Sequence, residues 1–535
     1  MERLSDRGVA VVRSVLSHET AVHDELACKP PTGRLCLAGL SGLPKNVRRP
    51  AFDPTLLQIG ILHLGCGSFH RAHQAWLTQL AIEAEHDNSA RAAGRRLPAW
   101  GIAACSLRSA AVARALTAQD GLYTLLEREP ERTRATVIGT LRRALYVPDG
   151  LALIDRSFRN PLVRIVSLTV TLGGYCSGPD GRLDSHRADV QSDLSSACPT
   201  TAIGLLVRGL GYRRDSGVAP PVVLSCDNLP GNGRLLQQAC VDFAALHDDV
   251  LAQWIAREVQ FPSTMVDRIV PGSCGQDRLD ARAMHGLEDA VPVSAEPYHQ
   301  WVIEHFDGAR PRWDAAGAEY VADIGPWEAS KLRLLNGGHL ALAWLGQLAG
   351  CATVADAIAL PGLDAFLLRF MLDEQKPTLP PSDHNIDLYA RQLLTRWHSR
   401  GISHRLDRIA RDGSTKLPAR LLASLLENRR AGRPVPCTVL AVAAWMRCIA
   451  GRDDAGRPLP IDDALGMYLR SRVAGVATDP SALVDRLLET PGIFGDDLPR
   501  DWALRHDLKH SVTLVQRLGA RAAVVVSAWT PAVVP

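Results

Sequence analysis

An apolar, strand-like run at Leu56–Leu64 leads into the turn Gly65-Cys66-Gly67, and a helix is predicted at Arg71–Glu83. A strand, a glycine turn and a helix in this order present backbone N–H groups to the pyrophosphate of a dinucleotide. The third glycine of the usual fingerprint is absent, so the turn alone does not establish a nucleotide site. The residues that we assign to cofactor binding are Ile61, His63, Leu64, Gly65, Cys66, Gly67, Ser68, Phe69, His70, Arg71 and Ala72.

The segment after the second predicted strand bears on the choice of nicotinamide cofactor. Trp100–Cys105 is predicted as that strand, and Ser109–Ala118 as the helix that follows it. In dinucleotide-binding folds an acidic residue usually follows the second strand and binds the adenosine ribose. Here the sequence reads Ser106-Leu107-Arg108, without an acid. Arg108 is a candidate for binding the 2′-phosphate of NADP, and a solvated arginine is the alternative.

Strand-like and helix-like runs alternate from residue 56 to about residue 270. Further strands are predicted at Arg164–Thr171 and Pro221–Cys226, and a helix at Arg234–Ala245. This alternation is typical of a parallel sheet with helices on both faces. The predicted fold class is α/β, with a Rossmann-like doubly wound N-terminal domain.

After about residue 290 the apolar periodicity becomes helical over long spans. We therefore predict a mostly α-helical C-terminal domain that carries substrate-binding and catalytic residues. The predicted organisation is an N-terminal extension at 1–50, a dinucleotide-binding Rossmann domain at 51–290 and the helical domain at 291–535. The predicted helices are Trp327–Ala349, Leu363–Leu372, Ile386–Trp397, Leu417–Leu426, Val439–Ile449 and Ala482–Leu488.

The apolar stretch Trp327–Gly346 carries polar side chains on one side of its predicted helix. At about 100° per residue, Glu328, His339 and Asn336 lie roughly 60°, 80° and 140° from Lys331. Leucines share this arc, so the face is predicted to line a pocket in apolar surroundings. Such surroundings lower the pKa of a lysine toward the range that a general base needs. A buried helix whose polar groups are satisfied by neighbours is the alternative for any one of these residues, but the set together favours a site.

Polar turns elsewhere supply further candidates. Asn228 follows the strand Pro221–Cys226, where α/β proteins place ligands, although Asn, Pro and Gly also form ordinary turns. Asp267 and Arg268 lie among apolar neighbours, where a buried ion pair is the structural alternative. Arg408 and Lys416 lie in a loop-like segment and could bind an anionic or polyhydroxy substrate, with a solvated loop as the alternative.

Composition excludes several classes of protein. The 535 residues carry a formal net charge of +3, which does not suggest nucleic acid or an anionic membrane as partner. No apolar run reaches the length of a membrane span, and Met1–Ser14 lacks the apolar core of a secretory signal. The twelve cysteines are scattered without a C-x-x-C pair, and no carboxylate completes a metal set with the histidines near residue 70. We expect a cytoplasmic protein without a metal, either a monomer or a small homo-oligomer.

Six further segments occur in a fixed order along the chain, namely HLGCGSFHRAHQA, SCDNLPGNG, FPSTMVDRIVP, EPYHQWVIE, KLRLLNGGH and DGSTKLP. Taken together, they resemble the polyol-specific long-chain dehydrogenases, the mannitol dehydrogenase family. The resemblance runs from about residue 56 to the C-terminus, and its hallmark is present at Lys331, Asn336 and His339. The family includes mannitol 2-dehydrogenase, arabinitol dehydrogenase and fructuronate reductase.

The resemblance implies zinc-independent hydride transfer between a nicotinamide cofactor and a carbon atom of a sugar alcohol. It favours NAD, with NADP as the alternative, and a small polyol or uronate as substrate. It makes Lys331 the acid/base and gives Asn336 and Asn228 the task of polarising the substrate oxygen. His339 would position the substrate. Two amide donors suit this task because the carbonyl oxygen gains negative charge as it accepts hydride.

The same resemblance places Asp267, Arg408 and Lys416 in the substrate pocket. Glu328 lies one turn before Lys331. We expect it to relay the proton of Lys331 or to tune that lysine as an acid/base.

Within the family the chain is most similar to the fructuronate reductases, so the expected reaction interconverts D-fructuronate and D-mannonate. Three departures bear on the substrate. The chain has Leu172-Gly173 where Glu-Lys is common, His299 where Arg is frequent, and Leu340 where Ser is usual. The alternatives are a mannitol or arabinitol 2-dehydrogenase that acts on neutral polyols, and a divergent paralogue without activity. If the substrate is a uronate, Arg408, Lys416 and His299 are the expected cations.

Overall fold

The computed structural model describes residues 33–89, 99–178 and 180–529, with side chains except at 86–89 and 528–529. The segment Met1–Ser14, for which no secretory signal is predicted, lies outside the described residues. Most of the predicted extension at 1–50 also lies outside them. No helix in the described ranges is long and apolar enough to cross a membrane.

The strands of these ranges form three sheets. They are β1 (Val47–Arg48), β2 (Ile59–Leu64), β3 (Gly101–Ser106), β4 (Tyr123–Arg128), β5 (Thr133–Ile138), β6 (Leu141–Tyr146), β7 (Ile165–Leu168), β8 (Val222–Ser225), β9 (Thr264–Asp267), β10 (Val293–Ala295), β11 (Gln300–Glu304) and β12 (Glu319–Val321). The largest sheet has five parallel strands in the order β6-β3-β2-β7-β8. Numbered along the chain, this is 3-2-1-4-5, the order of a doubly wound dinucleotide-binding sheet. The predicted Rossmann-like fold is confirmed.

The five-stranded sheet is buried on both faces because alternate side chains of a strand point to opposite sides. In β2, Ile61 packs into the cluster that contains Ile102 and Ile165. Its neighbours Leu62 and Leu64 pack into a second cluster on the other face. Strands covered on both faces need near-continuous apolar sequence, and β2 has it.

Helices cover the sheet and form nearly all of the second half. The α-helices are α1 (Ser68–Ala72), α2 (Gln74–Ser89), α3 (Ala110–Thr117), α4 (Val147–Arg159), α5 (Ala188–Ser195), α6 (Ala202–Ser216), α7 (Asn232–Ala245), α8 (Asp249–Glu258), α9 (Gly275–His285), α10 (Gly325–Ser330), α11 (Gly337–Leu348), α12 (Val354–Ile358), α13 (Leu363–Arg369), α14 (Ile386–His398), α15 (Leu406–Ala410), α16 (Gly413–Leu417), α17 (Ala423–Arg430), α18 (Pro436–Ile449), α19 (Gly466–Val473), α20 (Pro480–Leu488) and α21 (Trp502–Trp529). Three π-helical segments lie at Lys331–Asn336, Phe370–Gln375 and Pro418–Leu422. Short 3₁₀ segments lie at Leu37–Gly42, Pro54–Leu56, Leu172–Tyr175, Lys376–Thr378 and Leu498–Arg500.

The helical half is built around α11. Its side chains are buried on almost every side, and it packs against α12, α15 and α18. A helix that is apolar all round belongs in the interior of a large domain. The predicted mostly helical second half is therefore confirmed, and each predicted helix corresponds to observed helix, although the π segments interrupt three of them.

Two predicted boundaries differ from the structure. Strand β10 pairs with β4, and β11 pairs with β9, so residues beyond 290 complete sheets that begin before it. The change to helical structure comes only after β12. Residues 33–50 do not form a separate extension. Strand β1 pairs with β5, and Leu35 lies in the same buried apolar cluster as Val47 of β1 and Ala135 of β5. These strands are short and carry no long apolar run, so periodicity gave no signal for them.

The glycine turn after β2 depends on close contact with β7. Gly65 has φ +107°, and a Cβ there would lie 2.3 Å from the carbonyl oxygen of Thr169. We expect Gly65→Ala to lower stability by about 1–3 kcal/mol from backbone strain alone, with the steric clash adding to it. Gly67→Ala is the matched control, because Gly67 has φ −79° and open space around its Cβ position. Equal thermal unfolding midpoints for the two variants would contradict this view of the turn.

Candidate active site

The turn after β8 is held in place by two buried polar side chains. The carboxylate of Asp227 accepts hydrogen bonds from the N–H groups of Val170 (3.1 Å) and Thr171 (2.8 Å), which ties the ends of β7 and β8 together. The Asn232 amide is fully buried and donates to the carbonyl oxygens of Asp227 and Thr264, at 2.8 Å each. The exposed Asn228 lies within this fixed turn, at the carboxyl edge of the parallel sheet.

Lys331 joins the helical half to that turn. Its Nζ donates to Oδ1 of Asn228 at 2.7 Å and to the carbonyl oxygen of Val266. The side chain is only 6% exposed, and burial lowers its pKa to about 8, although the Asp267 carboxylate acts in the opposite direction. A lysine with this pKa can both donate and accept a proton near neutrality. Because Oδ1 of Asn228 accepts from the lysine, the amide nitrogen of Asn228 remains available to a ligand oxygen.

The segment from Lys331 to Asn336 is π-helical. The N–H of Gly337 donates to the carbonyl oxygen of Leu332, five residues earlier. The projection at 100° per residue therefore does not hold across this segment. In a π turn, residues five apart lie in adjoining turns, so Lys331 and Asn336 share a face more closely than the projection predicted. The Asn336 side chain is half-buried and makes no hydrogen bond within the described ranges.

Glu328 contacts the same turn from α10. Its carboxylate accepts the N–H of Gly231, with N–O distances of 2.9 and 3.1 Å. Burial raises the pKa of Glu328 above its ordinary value, and the bond to Gly231 acts against that rise. Glu328 and Lys331 thus hold opposite ends of one turn.

A buried ionic network surrounds Asp267. Both of its carboxylate oxygens accept from Arg396, at 2.7 and 3.0 Å, and Arg396 also donates to Glu296 at 2.7 and 3.1 Å. Burial alone would raise the pKa of Asp267, but Arg396 lowers it below its ordinary value. The Arg396 guanidinium also stacks on the ring of Tyr298, 4.0 Å from its centroid. Asp267, predicted to bind substrate, has both oxygens occupied by a protein cation.

Asp267 and Arg268 do not pair with each other. Arg268 is bound to Glu127 at 2.8 Å and lies 4.2 Å from the ring centroid of Trp76. Adjacent residues of a strand point to opposite faces, which is why the two charges find separate partners.

A cavity of about 510 Å³ adjoins His339. Its charged lining residues are all basic, namely Arg405, Arg408, Lys416 and Arg420, together with the imidazoles of His339 and His404. No aspartate or glutamate is among the lining residues. The predicted pair Arg408 and Lys416 thus meets His339 in one cavity.

His339 and His404 face each other edge to face, with ring centroids 5.0 Å apart. Nε2 of His339 and Nδ1 of His404 are buried without a hydrogen-bond partner among the described residues. Burial lowers the pKa of both rings, so both are neutral at physiological pH. Buried polar atoms without partners mark a place where a ligand hydroxyl would find hydrogen bonds.

Most of the residues predicted to bind the cofactor are buried within the protein itself. Ile61, His63 and Leu64 lie in β2, and Cys66, His70, Arg71 and Ala72 are also buried, whereas Gly65, Gly67, Ser68 and Phe69 are at least partly accessible. His63 contacts Ser167 at 2.8 Å and Thr169 at 3.0 Å and stacks on His70 with centroids 3.4 Å apart. Contact with a ligand at this turn would therefore come chiefly from the backbone and from the accessible residues.

Three other predicted positions lie apart from the cavity. Arg108 is exposed directly after β3. His299 packs edge-on against Trp76, does not line the cavity, and has its pKa lowered by burial, so it is not a cation for a bound uronate. Leu172 is 60% exposed in a 3₁₀ turn. No group of three or more His, Cys, Asp or Glu residues that could hold a metal ion occurs in the part of the chain that the structure describes.

Sequence analysis missed Arg396, Glu296 and Arg420. The first two are 100 residues apart along the chain and their contact has no local signal. Arg420 lies four residues beyond Lys416 in a segment read only as helix.

A doubly wound sheet, a buried lysine of lowered pKa at its carboxyl edge and a separate helical half are together typical of a dehydrogenase-type oxidoreductase. Residues 59–315 match the mannitol dehydrogenase Rossmann domain, and residues 323–516 match the mannitol dehydrogenase C-terminal domain. The chain therefore belongs to the mannitol dehydrogenase family of oxidoreductases, as the six sequence segments predicted.

Relatives named for different substrates have similar sequence identities to this chain. The chain is 38% identical over 469 residues to D-mannonate oxidoreductase of Escherichia coli, covering 86% of this chain and 93% of that protein. It is 36% identical over 487 residues to mannitol 2-dehydrogenase of Cereibacter sphaeroides, covering 90% and 98%. The structure of Pseudomonas fluorescens mannitol 2-dehydrogenase in ternary complex with NAD and D-mannitol matches with a TM-score of 0.77 at 33% identity, covering 93% and 100%.

The network around Arg396 predicts a large effect on stability. Arg396→Ala would leave the buried carboxylates of Asp267 and Glu296 without a cation, and breaking a buried pair in this way costs about 3–5 kcal/mol. Urea unfolding is the measurement. Arg312→Ala is the control, because Arg312 pairs with Asp314 in solvent, where screening weakens the pair, and its midpoint should barely move. A similar midpoint shift for both variants would contradict the prediction.

Proposed function

We propose that this chain is a fructuronate reductase-like enzyme that interconverts D-fructuronate and D-mannonate with NAD(H). The observation that carries the proposal is the cavity beside His339, whose charged lining is entirely basic. A uronate differs from a neutral ketose by one carboxylate, and a binding site must offer positive charge to compensate for the lost hydration of that group. The similarity to the Escherichia coli D-mannonate oxidoreductase supports the same substrate.

A second candidate is a mannitol or arabinitol 2-dehydrogenase acting on neutral polyols. The unpartnered ring nitrogens of His339 and His404 suit the hydroxyl groups of either substrate class. The similarity to mannitol 2-dehydrogenases favours this candidate, but a neutral polyol has no charged group to pair with the basic side chains that line the cavity. The third candidate is a divergent paralogue without activity. The feature that favours it is Leu172-Gly173, which stands where the family commonly has Glu-Lys.

The turn after β2 fits a dinucleotide. The backbone of Gly65 packs so closely against the end of β7 that a Cβ there would collide with Thr169. The space around Gly67 is open. This leaves the backbone of Gly65, Gly67, Ser68 and Phe69 as the group that would hold the cofactor pyrophosphate. NAD(H), when bound, supplies or accepts the hydride. NADP is the alternative cofactor, in which case the exposed Arg108 is the residue placed to meet its 2′-phosphate.

Lys331 is the proposed acid/base. In ketose reduction its ammonium would give a proton to the substrate oxygen, and in oxidation the neutral amine would take one back. The free amide nitrogen of Asn228 and the amide of Asn336 would donate to that oxygen and stabilise its negative charge without a metal ion. His339 would orient a neighbouring hydroxyl, and Glu328 would pass the lysine proton toward solvent.

The lowered pKa of Lys331 predicts opposite pH dependences for the two directions of reaction. Since this pKa is about 8, the ammonium predominates below that pH and the amine above it. We expect kcat/KM for reduction to fall, and for oxidation to rise, as pH increases through about 8. Initial rates of NADH consumption and formation across this range are the measurement.

The Lys331→Ala variant tests the assignment directly. It should lose at least the ~10²-fold in kcat typical of a missing acid/base, and its residual activity should lack the inflection near the lysine pKa. Lys45→Ala, at an exposed lysine, is the control that should keep the wild-type profile. An unchanged profile in Lys331→Ala would assign the proton to another group.

Substrate preference tests the proposed activity. We expect a higher kcat/KM for fructuronate than for fructose, because only the uronate uses the basic cavity. Raising the salt concentration should narrow this difference, since added ions screen partly exposed charges. NADH oxidation with fructuronate, tagaturonate, fructose and ribulose is the measurement, and a preference for a neutral ketose at every pH would favour the second candidate.

A further inference from the structure

We propose that Arg420, on the π segment Pro418–Leu422, is the side chain that binds the substrate carboxylate. The proposal rests on the proposed function, since it names a residue for the charge that distinguishes a uronate from a ketose. Arg420 therefore determines specificity, whereas the expectation from sequence gives that role to Arg408 with Lys416.

Backbone packing places Arg420 beside the π segment that begins with Lys331. The π segments Lys331–Asn336 and Pro418–Leu422 contact each other directly. A Cβ added at Gly337, the residue after Asn336, would lie 2.9 Å from the carbonyl oxygen of Arg420. Arg420 also lines the cavity beside His339, so this cavity residue has its backbone packed against the helix that carries Lys331 and His339.

The positive charge of Arg420 acts on the groups that are proposed to bind the substrate or transfer its proton. Burial lowers the pKa values of Lys331 and His339, and the positive charge of Arg420 adds to the lowering in both. The pKa of Lys416 is likewise lowered by burial first and by Arg420 second. Arg408 is not among the charges that shift any of these three groups. A carboxylate bound to Arg420 would lie within reach of the reacting end of the same molecule.

The other basic groups around the cavity are already engaged or are open to water. Arg405 pairs with Asp407 at 2.6 Å, and Lys416 Nζ donates to the carbonyl oxygens of Ile409 and Arg411. Arg408 is exposed. Arg420 has neither an ion pair nor a side-chain hydrogen bond within the described ranges.

A half-buried guanidinium that has no ion pair is well suited to binding an anion. Burial lowers the pKa of Arg420 to about 10, so the group remains a cation at neutral pH. A carboxylate at hydrogen-bonding distance would stabilise this half-buried cation further. A planar guanidinium matches a carboxylate through two parallel N–H···O bonds, which a lysine cannot reproduce.

The arrangement also matches the order of groups along a keto-uronate. In fructuronate the carbonyl and the carboxylate lie toward opposite ends, with hydroxyl groups between them. Lys331 would meet the carbonyl oxygen, the unpartnered nitrogens of His339 and His404 would meet hydroxyls, and Arg420 would meet the carboxylate.

The test compares R420Q with R408Q, a matched pair of variants in one cavity that each replace a charged guanidinium with a neutral amide. The quantity measured is the ratio of kcat/KM for fructuronate to that for fructose, from NADH oxidation. We expect R420Q to lower this ratio by at least about thirtyfold, mainly through KM for the uronate, and R408Q to lower it by less than about threefold. R420K should fall between wild type and R420Q, since it restores charge without the bidentate geometry.

The outcomes separate this inference from the proposed function. A wild-type enzyme that prefers fructose would overturn the proposed function, and the carboxylate site with it. A wild-type preference for fructuronate that survives in R420Q, or that R408Q removes more fully, would leave the proposed function standing and overturn the assignment to Arg420. Circular dichroism establishes folding, and if R420Q does not fold, a ratio for R420K equal to that of wild type overturns the assignment instead.

Discussion

The hydrogen bonds of the Lys331 ammonium join the two halves of this molecule at the point where chemistry is proposed to occur. Nζ leaves the helical half and reaches Asn228 and Val266, both at the edge of the sheet half. A buried ammonium must be bonded, and here its partners are Asn228, in the turn that the Asp227 carboxylate fixes, and Val266 in β9. The same burial that makes those bonds necessary also lowers the lysine pKa, so packing and reactivity have one cause.

The π segments give the helical half its particular shape. A regular α-helix would separate Lys331 and Asn336 by about 140°, whereas one π turn brings residues five apart into adjoining turns. Two further π segments pack against this one, and Gly337 lies at their junction, close to Phe370 as well as to Arg420. Irregular helix is therefore concentrated around the candidate site, where the geometry of side chains matters more than the regularity of the backbone.

Sequence reasoning predicted what local pattern encodes. The alternation of strand and helix gave the doubly wound sheet, and helical periodicity gave the helix that carries Lys331 and His339, although not the π segment within it. Contacts between distant residues were missed: Arg396 meets Asp267 across 129 residues, and nothing near either residue signals the partner. The boundary at 290 failed because β10 has only three residues, too few for a period to emerge. Arg420 was missed because a charged residue on a predicted helix is ordinarily solvated, and only the fold reveals that this one is half-buried beside a cavity.

The network around Arg396 also has a consequence for how the two halves evolve and fold. Arg396 belongs to the helical half, while Asp267 and Glu296 belong to the sheet half, and all three side chains are buried. Either half expressed alone would expose charges that only the other half can neutralise. Exchange of a half between relatives would succeed only if the ionic partners were exchanged together. The seam between the sheet half and the helical half is thus a shared interior, in which each half supplies the charges that the buried groups of the other require.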